Sequence, residues 1–176
     1  MKTLKSLLER IVDGDGLVAE EAEGLLDMLT DPQTDAALSG AILTALRASG
    51  PAPDEVRGLA TGMRRRAVSV PLPSGGPVVD IVGTGGDGSG SLNLSTGSAL
   101  LAAACGLRVA KHGNRSVSSK SGAADVLEAV GYVAPDTADG VAASVAEHGF
   151  GFLFAPYFHP AMKVVAPVRR SLGIRT

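Results

Sequence analysis

The sequence predicts an α/β protein in two parts, a small N-terminal helical domain and a parallel-sheet α/β domain. Three observations carry this expectation. Apolar stripes at helical spacing fill residues 1–68. The stretch "SVPLPSGGP" at 69–77 cannot continue a helix and reads as a hinge or linker. From 78 to 176, short apolar runs alternate with helical patterns, the signature of strand–helix–strand units around a parallel sheet.

In chain order, Leu4, Leu7, Leu8 and Ile11 share one helix face, and Val18, Ala22, Leu25, Leu26 and Leu29 form a second stripe. Asp31-Pro32 reads as the start of a third helix, continued by Leu38, Ile42, Leu43 and Leu46 and ended by Gly50-Pro51. Val56, Leu59, Ala60 and Met63 mark a fourth. "VVDIV" (78–82) then reads as a buried strand and "NLSTGSALLAAAC" as a helix stopped by Gly106. "LRVAKH" (107–112) is a second strand, followed by helices at "AADVLEAVG" and "TADGVAASVAEHG" and a third strand at "FGFLF" (150–154). "HPAMKVVAPVRRSLG" reads as helical and broken at Pro167, and the 160–173 helices are candidates to pack with the helical domain. Three parallel strands make a thin sheet, so folding logic expects more chain than the sequence shows after "GIRT".

Composition narrows the function classes. With 45% hydrophobic and 19% charged residues among 176, the chain reads as globular. A formal net charge of −2 argues against nucleic-acid and membrane partners, so any anion site must be local. Aromatic residues are 3%, too few for a base-stacking surface. The single Cys105 cannot close an internal disulfide and suits a reducing compartment. The start carries acids as well as bases and too short an apolar run for a secretory signal, and the run around "ALLAAAC" is too short to span a bilayer; a cytoplasmic protein is expected.

The chemistry gathers in two loops. "GTGGDGSGS" (83–91) places five glycines in nine residues after the first strand. Its letters fit G-x-G-x-x-G, but the helix begins later, near Asn93 to Ser95, and the next strand ends in Lys111 where a dinucleotide fold would place an acid. No G-x-x-x-x-G-K-[ST] motif occurs. What remains is an anion cradle, with glycines allowing close backbone approach and Asn93, Ser95 and Thr96 at a helix start. An ordinary Gly-rich turn with a polar cap is the bland alternative. "KHGNRSVSSKSG" (111–122) follows the second strand and falls at the same carboxyl edge of a parallel sheet. Lys111, Arg115 and Lys120 with Asn114, Ser116, Ser118 and Ser119 suit a doubly phosphorylated ligand; a solvated basic loop is the alternative. Two further clusters read as surface: "RRR" (64–66) at a helix end, and Asp125 with Glu128 on one helix face.

"DIVGTGGDGSGSLNLSTGSA" and "KHGNRSVSSKSGAADVLEAVG" closely resemble the signature loops of the anthranilate phosphoribosyltransferase family. The resemblance runs along the whole chain, including "HPAMK" and "APVRRSLGIRT". It implies a nucleoside-phosphorylase-like phosphoribosyltransferase architecture and the transfer of the phosphoribosyl group of 5-phosphoribosyl 1-pyrophosphate (PRPP) to the amino nitrogen of anthranilate, with Mg²⁺ as cofactor, in tryptophan biosynthesis.

Carried over by residue, the resemblance puts Gly83, Gly86, Asp87 and Ser91 in the PRPP site, with Asn93, Leu94, Ser95 and Thr96 at its phosphates. Lys111, His112, Gly113, Asn114, Arg115, Ser116, Val117, Ser118, Ser119 and Ala123 would wrap pyrophosphate and ribose. Gly83, Asn114 and Arg169 would meet anthranilate, Arg169 through its carboxylate. Ser95 would touch Mg²⁺, whereas the family's adjacent Asp-Glu metal pair has no counterpart here, the lone Asp54-Glu55 lying in the helical part. His112 is a candidate proton relay, and His148 and His159 read as structural. A homodimer through the helical domain is implied. Two other readings stay open: a non-catalytic PRPP- or phosphate-binding module, and a nucleoside phosphorylase relative.

Overall fold

The computed structural model describes residues 2–83, 92–116 and 121–173. In chain order these form α1 (Leu4–Asp13), α2 (Ala19–Leu29), α3 (Ala36–Ser49), α4 (Pro53–Arg66), β1 (Val78–Val79) and α5 (Leu94–Ala104). There follow β2 (Arg108–Gly113), α6 (Ala123–Ala129), α7 (Ala138–His148), β3 (Phe150–Phe154), α8 (Ala155–Phe158) and α9 (Met162–Leu172). They separate into a helical unit, the residues up to Ala67 with those from His159 on, and an α/β unit from Val68 to Phe158.

The helical unit is built on Leu7, Ile11, Leu17, Ala22, Leu25, Leu29, Ile42 and Leu46, with Val165 of α9 in the same cluster. A reciprocal Thr3–Ser6 capping box starts α1. The buried face of α4 differs from the expected apolar stripe. Val56 is 52% exposed, whereas Glu55, Gly58 and Gly62 are buried. Two glycines bring the α4 backbone close to α2, since a methyl at Gly58 would collide with the Ala19 carbonyl and the Ala22 side chain. Glu55 is buried at little cost because its carboxylate accepts from Leu17 N (3.0 Å) and Ala52 N (2.8 Å).

Asp31-Pro32 does not open a helix. Asp31 Oδ1 accepts from Gln33 N at 2.8 Å and its carbonyl from Thr34 N at 3.0 Å, closing a turn, and Asp35 caps α3 instead. Nor does Pro167 break the last helix. α9 runs through it, and because Lys163 and Pro167 both lie exposed the missing N–H bond falls on the solvent side. The arginines at the end of α4 are not simply solvated: Arg65 pairs with Glu23 and Asp27 of α2, and Arg66 with Asp27.

In the α/β unit the strands lie in the order β1-β2-β3, all parallel. β1 is shorter than the apolar run 78–82, its ladder ending at Val79↔Val109. Alternation along the strands feeds two cores. Val109, Phe150 and Phe152 pack with Ala99, Ala124 and Leu127 of α5 and α6, while Ala110 packs with Val141 and Val145 of α7 and with Phe158. Helices thus cover both faces, as a parallel sheet requires. Side chains also finish the outer edge of β3: Phe152 N donates to Tyr132 OH (3.2 Å), and Ser144 Oγ donates to Phe150 O (2.7 Å). The stretch 69–77 belongs to this unit. Arg108 donates to the carbonyls of Pro73 and Ser74, and Val70 packs on the α7 core.

Candidate functional site

In parallel sheets the carboxyl ends of adjacent strands share one edge, and both predicted loops leave from it. Gly83 follows β1 and lies beside the first turn of α5: a methyl there would stand 3.6 Å from Ser95 Oγ. Asn93 precedes that helix but makes no capping bond, its Nδ2 donating to Ser121 O at 3.2 Å. The start of α5 is therefore tied to the segment leading into α6; Leu94 N donates to Leu92 O at 2.7 Å, and the backbone N–H groups of Ser95 and Thr96 have no acceptor among the described residues. Thr96, at 1% exposure, has an enclosed Oγ1 with no hydrogen-bond partner among the described residues. A desolvated hydroxyl of this kind costs about 1–3 kcal/mol until a partner arrives. The Leu94 side chain is exposed.

The second loop docks on α6. Asn114 O accepts from Ala124 N at 3.2 Å, and Asp125 Oδ2 accepts from Gly122 N (2.7 Å) and Ser116 N (3.1 Å). These N–H bonds, the Gly122 bond foremost, hold the Asp125 carboxyl below its ordinary pKa. Gly113 packs on Phe152 and Ala123, leaving no room for a side chain.

The described cations of this loop hold partners within the chain. Arg115 pairs with Glu128 and Asp125 and stands 5.8 Å over the Phe154 ring, and those carboxylates raise its pKa. Asp125 and Glu128 are thus the partners of Arg115, neither a bare surface pair nor a metal site. Lys111 is 1% exposed and its Nζ donates to Ile81 O at 2.6 Å. Burial pushes its pKa down, and the Asp80 charge opposes that shift. Lys111 lies with Val109 toward α5 and α6, whereas His112 alternates to the α7 face with Ala110; His112 N donates to Asp80 Oδ1 at 3.2 Å. Asp80 lacked any sequence signal beyond its place inside an apolar run. Gly86, Asp87, Ser91, Val117, Ser118, Ser119 and Lys120 lie outside the described residues. Arg169 is exposed in the last turn of α9, in the helical unit. No cluster of three or more His, Cys, Asp or Glu suited to a metal occurs among the described residues.

The family profile described as glycosyl transferase family, a/b domain, matches residues 75–176, and the one described as glycosyl transferase family, helical bundle domain, matches residues 5–67. The chain belongs to this glycosyl transferase family. Within it, the anthranilate phosphoribosyltransferase of Stenotrophomonas maltophilia (strain K279a) is 49% identical over 169 residues, covering 96% of this chain and 49% of its own length. That of Rhodopseudomonas palustris (strain HaA2) is 46% identical over 176 residues, 100% of this chain and 52% of its own. The crystal structure of anthranilate phosphoribosyltransferase from Thermus thermophilus superposes with a TM-score of 0.84 at 45% identity, covering 97% of this chain and 51% of that one. The Saccharomyces cerevisiae enzyme in complex with PRPP and Mg gives 0.85 at 30% identity, covering 98% and 52%. The chain spans about half the length of the curated relatives it matches. The helical-bundle match falls within the helical unit, whereas the a/b-domain match covers most of the α/β unit and runs on through α9, which belongs to the helical unit.

Proposed function

We propose that this chain carries the phosphoribosyl-donor site of an anthranilate phosphoribosyltransferase. The reaction joins the anthranilate amino nitrogen to C1 of the ribose of PRPP, breaks the C1–oxygen bond to pyrophosphate and releases the amine proton, giving N-phosphoribosylanthranilate for tryptophan biosynthesis. One observation carries the reading: Gly83, the uncapped first turn of α5 and the enclosed Thr96 hydroxyl meet at the shared carboxyl edge of the sheet.

An aromatic amine is a weak nucleophile, so the barrier is lowered chiefly by stabilising charge on the departing pyrophosphate. Backbone N–H groups of Ser95 and Thr96 and the side chains of Asn93 and Ser95 hold the phosphates, with Gly83 leaving space beside them. Asn114 and Ser116 approach from the second loop, together with the backbone around Gly113 and the first residue of α6, Ala123. Gly86, Asp87, Ser91 and residues 117–119 complete this set on the strength of the resemblance. Mg²⁺ neutralises the diphosphate when bound. The half-buried Ser95 hydroxyl fits one oxygen ligand of an ion that otherwise keeps water and substrate phosphates. Arg169 receives the anthranilate carboxylate as a planar bidentate partner. His112, whose backbone N–H is held by Asp80 Oδ1, is the candidate proton relay of this reading.

A homodimer through the helical unit belongs to the same reading. An open groove of about 830 Å³ runs along α1, α3 and α9, lined by Leu8, Val12, Ala41, Ala45, Val168 and Leu172. Such a surface suits a second copy of the chain. No described helix is long and apolar enough to cross a membrane, and the biosynthetic role suits the cytoplasm.

Kinetics of the protein expressed from its gene test the assignment. In Arg169→Ala the Michaelis constant for anthranilate should rise at least tenfold, the loss of a charge-assisted pair, while that for PRPP stays within about twofold. Equal changes in both constants would remove Arg169 from the anthranilate site.

A further inference from the structure

An acid in the first turn of a helix ordinarily answers that helix's own free N–H groups and its dipole. Asp125 of α6 does this at Gly122, whose N–H donates to its Oδ2 at 2.7 Å. The same oxygen also accepts from Ser116 N, upstream of the helix, at 3.1 Å. Its Oδ1 accepts from Arg115 Nη1 at 3.1 Å. Arg115 has a further partner on α6 in Glu128, so the exposed guanidinium does not depend on Asp125 alone. The two backbone N–H groups are what a single carboxylate brings together. On one side lies the Asn114–Ser116 segment, with Asn114 O fastened to Ala124 N at 3.2 Å. On the other lies the Ser121–Gly122 segment, whose Ser121 carbonyl receives the Asn93 side chain from the start of α5.

We propose that Asp125 is a positioning residue whose carboxylate bridges Ser116 to Gly122 and so sets the spacing between Asn93 on one side of the phosphate site and Asn114 with Ser116 on the other. The effect on ligand affinity rests on the PRPP reading above; the bridge itself does not. What the bridge needs is an acceptor oxygen at this reach, and not the negative charge as such. Asparagine keeps that oxygen at the same length. Glutamate keeps the charge at the helix start but carries the acceptor one methylene further, and alanine removes it.

Amide hydrogen exchange and calorimetric titration of PRPP with Mg²⁺ test this on Asp125→Ala, Asp125→Asn, Asp125→Glu and, as a control, Glu128→Gln. The Ser116 amide should exchange about tenfold faster in Asp125→Ala, the loss of one hydrogen bond, and within about twofold of wild type in Asp125→Asn. PRPP affinity should fall about tenfold in Asp125→Ala and no more than about threefold in Asp125→Asn, the cost of misplaced contacts. Glu128→Gln, which alters only an exposed partner of Arg115, should bind as wild type does. Asp125→Glu should bind PRPP more weakly than Asp125→Asn although it retains the charge. The reverse order would make Asp125 a helix-end charge and overturn the bridge, even where Asp125→Ala fails to fold. Wild-type exchange at Ser116 in Asp125→Ala would overturn it as well. So would an Asp125→Ala protein that melts lower yet binds PRPP with unchanged affinity. If wild type binds no PRPP, the functional reading fails, while exchange at Ser116 across the Asp125 variants still decides the bridge.

Discussion

Replacing Gly122 by alanine is expected to loosen the second loop from the helix that carries it. Gly122 has φ −96° and ψ −178°, ordinary extended backbone, so the substitution carries no conformational penalty. The cost is space. An added methyl would stand 2.6 Å from Arg115 C and 2.8 Å from Asn114 O, and closer still to Ser116 N. These are backbone atoms and cannot rotate aside, so the 114–116 segment must back away from α6. Overpacking of this kind costs roughly 1–3 kcal/mol. Retreat also breaks two bonds, Ser116 N to Asp125 and Ala124 N to Asn114 O, worth about 1 kcal/mol each. The sum is a loss of about 3–5 kcal/mol, which at an ordinary urea slope lowers the midpoint by roughly 2 M. Urea unfolding followed by circular dichroism reads it directly. Gly97→Ala is the control, since a methyl there meets nothing within 4 Å and alanine favours the helix by up to about 1 kcal/mol. A Gly122→Ala protein within about 0.5 kcal/mol of wild type would refute the steric account of this loop.

Acid should weaken the helical unit through Glu21. The Lys2 hydrogen bond, then the Val18 N–H and Arg10, lower its pKa from 4.5 to about 2 against the opposing effect of burial. A carboxyl depressed in the folded state stabilises above its unfolded pKa and loses that contribution as pH falls from 4.5 toward 2. Wild type should therefore lose more stability between pH 6 and pH 3 than Glu21→Gln; parallel profiles would contradict the pairing. Ala41→Arg, placing a charge in the α1–α3–α9 groove, should shift a dimer to monomer by light scattering at unchanged melting temperature. An unaltered mass would move the interface elsewhere.

Much of the fold is legible from period alone. The strand at "FGFLF" reads as an apolar run and "RVAKH" as a strand between a helical stop and a polar loop, and glycines mark the ends of several helices, as Gly149 does at φ +71°. The carboxyl edge of the site follows from strand–helix alternation without any side-chain detail. What hydrophobicity could not reveal is where backbone proximity or a polar partner reverses its sign. The buried face of α4 is two glycines and a glutamate, residues that score as exposed until the neighbouring backbone and its N–H groups are known. The partners that Lys111 and Arg115 hold within the chain, Ile81 and Glu128, come from outside their own loop and leave no sign in its sequence. Asp80 was hidden for the same reason.

Calorimetric titration of PRPP into the protein, with and without Mg²⁺, tests the central claim most directly. The geometry at Gly83, Asn93 and Ser95 predicts saturable one-to-one binding that strengthens with Mg²⁺ and weakens at least tenfold in Asn93→Ala, which frees the start of α5 from Ser121 and removes a phosphate donor. Absence of binding, or an affinity indifferent to both Mg²⁺ and Asn93, would contradict the assignment of this sheet edge as a phosphoribosyl-donor site.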